Sequence, residues 1–265
     1  MHDFEVDGST INEYEKKTTA ARRLISVLET ALATANQNMQ AREVWAVVFG
    51  IKPDDGIGIC RQLVVLADLV REVERQIKIV LETDHDTYLA GFDQVLVGLS
   101  PLNLSHNSIT AINQYITPER IARLQFCDLA LMGSYGEDSI GLDELAVIDQ
   151  AAKELFEMVR ASVVNVRLRT ILLDAIERVR RSIAMYQIHG AKGLRESLQT
   201  LVGVAVLERD GLKQTEAATP DLLDKYGKLV YTLDKATGLA LKTTELVHKA
   251  APLFDMLTHA VKGMG

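Results

Sequence analysis

The chain has 265 residues, 48% hydrophobic and 25% charged, enough to bury a core as one large or two small domains, which excludes disorder as its default state. Its net charge of -7 and pI near 5.4 weigh against nucleic acid as a partner, because that affinity comes from Lys and Arg neutralising phosphates. Aromatics are only 5%, and the predominance of Leu, Ala and Val favours helix over twisted sheet, so the expected fold class is all-α.

The opening MHDFEVDGST is acidic and lacks the basic and apolar regions of a secretory signal. Cys60 and Cys127 sit inside apolar helical patterns and read as small buried hydrophobes rather than a disulfide framework. A cytoplasmic location is expected. The longest strictly apolar run, LVGVAVL at 201–207, falls far short of the ~20 residues of a spanning helix, so no stable membrane span is expected.

In chain order, Ile11, Tyr14, Ala21, Ile25, Leu28, Leu32, Ala35 and Met39 step by three and four and predict a first helix ending near Asn36 to Asn38. Thr10 or Ser9 would cap it, with Glu13 completing a capping box. AREVWAVVFGI predicts a short second helix stopped by KPDDGIG, with Trp45 as a core anchor. The stepping returns at Ile59, Leu63, Leu66, Val70, Val73, Ile77 and Val80, with alternating charges on the outer face.

From 94 to 118 the chain carries no Asp, Glu, Lys or Arg. LSPLNLSHNSI at 99–109 matches the leucine-rich-repeat spacing, but no third copy exists and a solenoid needs roughly three neighbours. The stretch is therefore expected to be an uncharged loop region against the bundle, or a partner-facing surface. Thr117, Pro118 and Glu119 open the next helix by N-cap and proline-at-N1 logic, and GSYGEDSIG closes it.

From Leu142 to His189 there is neither Gly nor Pro. Unbroken, this is a helix of ~70 Å at 1.5 Å per residue; the β-branched patch SVVNV at 162–166 is where it would bend or split. HGAKG at 189–193 precedes a helix carrying GLRESLQTLVGVAVLER, and a polar linker at 208–220 offers a subdomain boundary within a single helical domain spanning 1–265. Thr219 and Pro220 start the last pattern, with Leu223, Tyr226, Val230, Leu233, Ala240, Val247, Ala251 and Phe254 on one face. The expected architecture is an elongated helical bundle of about seven or eight helices with one or two very long ones.

Two Glu-x-x-His pairs stand out, Glu82 with His85 and Glu245 with His248. Residues three apart share a helix face, and two such pairs plus a glutamate from each of two other helices hold the metals of di-iron or di-manganese carboxylate bundles. Glu29, and Glu154, Glu157 or Glu177, would complete the set. The competing reading places Asp84 as the cap of a new helix, with Asp86 in its first turn, which puts Glu82 and His85 on different helices. HGAKGLRE offers backbone N–H groups at a helix start to an anion, but lacks the Gly-Lys-Ser/Thr of a phosphate loop.

The leading expectation is a non-enzymatic interaction or assembly protein whose partner is protein, self-associating as a homo-oligomer through heptad seams such as Leu155 and Val159. The alternatives are an iron- or manganese-dependent bundle enzyme and a membrane-active helical defence or toxin effector that stores the LVGVAVL hairpin and the charge-free stretch.

Overall fold

The computed structural model describes residues 17–216 and 220–241. Among them stand eleven α-helices and, as the only strand structure, the two-residue segments Lys17–Thr18 and Glu137–Asp138. The all-α expectation holds; the helix count exceeds the seven or eight expected. The chain divides into two compact units, Met1–Gly136 and Glu137–Gly265.

In the first unit, α1 (Ala20–Thr34) starts where the Thr19 hydroxyl accepts the amide of Arg22. The start expected at Thr10 is thus corrected for the described part of the helix: Lys17 and Thr18 are extended, and Thr19 provides the cap. Residues 11–16 of the expected seam lie outside the described residues. α2 (Ala41–Phe49) begins with the Glu43 carboxylate accepting the Gln40 amide at 2.7 Å and ends at Gly50, whose φ of 63° is the left-handed C-terminal turn that glycine adopts freely. Trp45 is buried and stacks on Phe49 at 5.5 Å. α3 (Gly56–Val80), capped by Asp55, buries the expected stripe of Ile59, Leu63, Leu66, Val70, Val73 and Ile77.

Two short helices follow, α4 (His85–Leu89) and α5 (Phe92–Gly98). α6 (Pro118–Tyr135) then packs against α1, α3 and α4, capped by Thr117 as expected. The charge-free 94–118 stretch contains all but the first two residues of α5, a 3-10 turn at Pro101–Asn103 and a π turn at Ile109–Asn113. Its lack of charge follows from its packing. Val95, Leu99, Ala111, Ile112 and Ile116 are buried, and the Ser108 hydroxyl donates to the Asn36 carbonyl at 2.7 Å, tying the stretch to the α1–α2 turn.

The second unit is a four-helix arrangement in which α7 (Leu142–Ala161), α8 (Val166–Ala184), α9 (Tyr186–Leu207) and α11 (Pro220–Leu241) each pack on two neighbours. The 142–189 span is not one helix. It breaks at Ser162–Asn165, where Asn165 caps α8 by accepting the Leu168 amide at 2.9 Å, and Arg169 donates to the carbonyls of Ser162 and Val164. The longest helix among the described residues is α3, with 25 residues. The 208–220 segment, expected as a polar linker and candidate boundary, instead carries the short helix α10 (Arg209–Glu216) inside the second unit. The division falls earlier, in the glycine-rich segment after α6, where charge and glycine interrupt the apolar patterns on both sides.

Candidate functional site

α3 ends at Val80, and α4 starts at His85 after Asp84, which takes a left-handed φ of 64°. Glu82 and His85 therefore do not share a helix face; the junction separates them, as the capping alternative required, although Asp84 makes no side-chain cap. Glu82 is exposed, and the His85 imidazole lies 3.4 Å from its own neighbour Asp86. Glu29 is exposed on α1. Glu245 and His248 lie outside the described residues. Of the remaining acids considered, Glu154 accepts from Gln150 and pairs with Lys225, which holds its carboxyl below the usual range, while Glu157 pairs with Arg160 and Glu177 with Arg180. Among the described residues no three His, Cys, Asp or Glu side chains come together to hold a metal ion.

The helix start that the HGAKG segment offered to an external anion already has one from the chain. At Gly190 (φ 62°, ψ -158°) α9 kinks and restarts, and the Ala191 amide donates to the buried carboxylate of Glu137 at 3.3 Å. The positive end of the restarted helix is thereby satisfied internally. Beyond the kink, Arg195 is buried and donates to Asp234 at 2.6 Å and to Thr237 at 3.3 Å, joining α9 to α11. The first unit has a counterpart in Asp128 of α6. It accepts from the Thr19 hydroxyl at 2.6 Å and from Arg22 at 2.8 and 2.9 Å. Both clusters are satisfied ion pairs whose partners all come from the protein, the arrangement of cross-helix ties rather than of reactive groups.

The seams expected to drive self-association are consumed inside the chain: Leu155 and Val159 are fully buried in the second unit's core. Among the described residues, one apolar stripe left uncovered lies on α6. Its inward face buries Ile121, Leu124, Cys127, Asp128, Leu131 and Met132, while Ala122, Phe126, Leu129 and Gly133 follow one another at spacings of four, three and four on the outward face. Phe126 is 59% and Leu129 67% exposed. Beside them runs a groove of about 400 Å³ formed with Thr87 and Tyr88. Sequence reasoning placed the start and end of α6 but assigned it no face, and so missed this second stripe. The signal was available, because RLQFCDLALMG is apolar over too wide an arc for a one-sided helix.

No family model matches the chain, and neither a curated protein nor a solved structure is significantly similar to it.

Proposed function

We propose that the protein is a non-enzymatic helical interaction and assembly protein that works through the uncovered apolar face of α6. The observation that carries this reading is the pair Phe126 and Leu129, two large apolar side chains more than half exposed on a helix whose opposite face is already packed. Full burial of such a side chain is worth roughly 1.5–3 kcal/mol, and a partner face recovers the share that its present exposure leaves in water. The buried polar groups of Asp128, Glu137, Arg195 and Asp234 are committed within the chain: the ion pairs tie helices together, and the Glu137 carboxylate fills the helix start at Ala191.

Sedimentation of the purified full chain tests the reading. The expected result is a mass above 29.3 kDa that rises with concentration over the micromolar range. A mass fixed at 29.3 kDa up to the highest soluble concentration overturns the self-associating form of the reading.

A further inference from the structure

We propose that the outer face of α6 pairs with the same face of a second copy of the chain. The two helices run antiparallel about a two-fold axis that passes between positions 127 and 128. In that register Phe126 of each copy packs against Leu129 of the other, and Ala122 meets Gly133. This inference rests on the assembly reading and names its partner.

Two observations point to a second copy, and charge fixes where the two can meet. The first is spacing: 122, 126, 129 and 133 form a coiled-coil seam, and antiparallel packing of such a seam sets each knob opposite its two-fold mate, as a closed isologous contact requires. Four large side chains then cluster at the axis, with small residues flanking them on both sides.

The second is Gly133. A glycine in an exposed helix costs about 1 kcal/mol relative to alanine, and outside its own helix turn no atom of the described residues lies within 4 Å of the place its Cβ would occupy, so their packing does not call for it. A neighbouring backbone approaching this face does.

Charge opposes pairing elsewhere and restricts where two copies can touch. Two copies, each carrying -7, repel over most of their surfaces and meet most favourably where the face is neutral. Between Ala122 and Gly133 the charged residues of α6 are Arg123 and Asp128. Arg123 is held by Glu119 at 3.0 Å and by the Thr87 carbonyl at 2.8 Å, and Asp128 is buried against Arg22. A single helix pair covers less than the ~800 Å² per partner of a standard interface, so the dimer is weak and concentration-dependent.

The experiment is sedimentation equilibrium on the full chain and on F126E, L129K and V147E, with circular dichroism confirming that each variant is folded. Val147 is 54% exposed on α7, so V147E controls for adding a charge at an apolar surface position. Wild type and V147E are expected to reach twice 29.3 kDa, while F126E and L129K each weaken pairing by on the order of 100-fold or more. Mixing F126E with L129K should restore the dimer, because this register then holds one native Phe–Leu contact and one Glu–Lys contact. Dimers of F126E as tight as wild type overturn the α6 face, in this pairing and in the proposed function alike, while self-association itself stands. Dimers lost in both variants but not restored by mixing overturn the register. A wild type that stays monomeric overturns the pairing and the self-associating reading together.

Discussion

Cys127 shows how far burial alone decides a residue's chemistry. It is fully buried between α6 and the Tyr88 carbonyl, to which its thiol donates at 3.8 Å. Burial, reinforced by the neighbouring Asp128 carboxylate and partly opposed by a backbone hydrogen bond, pushes the thiol from its ordinary 9.0 up to about 12. Thiol reagents at pH 8 are therefore expected to modify the half-buried Cys60 in the folded protein and to reach Cys127 only in denaturant. Between pH 9.0 and about 12 the unfolded chain loses this proton while the folded chain keeps it, so the group's contribution to stability is intact below 9.0 and lost as pH rises through 12. Urea denaturation at pH 8 and pH 10 checks the sign, and a Cys127→Ala chain should lose this share of the alkaline destabilisation. The sequence showed that Cys127 is buried because an apolar helical pattern surrounds it. It did not show that Asp128, the next residue, is buried too, since only the fold brings Thr19 and Arg22 to it across more than a hundred positions.

At the scale of elements, local chemistry was readable wherever a cap or breaker sat next to the apolar pattern. Thr117–Pro118 opened α6, and the β-branched patch before Val166 marked the division of α7 from α8. The pattern failed where a decisive contact came from afar. Gly190 looks like an ordinary turn glycine, yet it forms the kink between two helical stretches at φ 62° and ψ -158°, a region open essentially to glycine alone, and Glu137 holds the helix that restarts beyond it. Replacing Gly190 with Ala is expected to destabilise the second unit by about 1–3 kcal/mol, from backbone strain in a buried position. Chemical denaturation followed by circular dichroism reads this as a lower midpoint with an unchanged slope, and a midpoint equal to wild type would mean that the kink relaxes without cost. The Glu82–His85 pair failed for the same reason in reverse: spacing of three implies one face only if the helix continues, and α3 stops at Val80.

For the whole molecule, the expectation of a single domain from 1 to 265 meets a chain that forms two compact units joined after Gly136. Composition allowed either outcome, and no signal in the glycine-rich segment distinguishes a domain junction from a helix turn. Each unit has the means to stand alone. The first closes Trp45, Leu66, Val70, Ile112 and Leu124 into its interior, and the second encloses a continuous core from Ile140 to Ala240 with its own buried pair, Arg195 and Asp234. A folded unit of this size is typically stable by on the order of 5–15 kcal/mol. Fragments 1–136 and 137–265, produced separately, are therefore each expected to be helical and to unfold in a single cooperative step, with the Gly190→Ala effect confined to the second. If either fragment is unfolded by itself, the division does not mark independent folding and the single-domain expectation stands. If both fold, the α6 pairing should travel with fragment 1–136, whose mass then doubles while that of 137–265 does not, separating the unit that assembles from the one it carries.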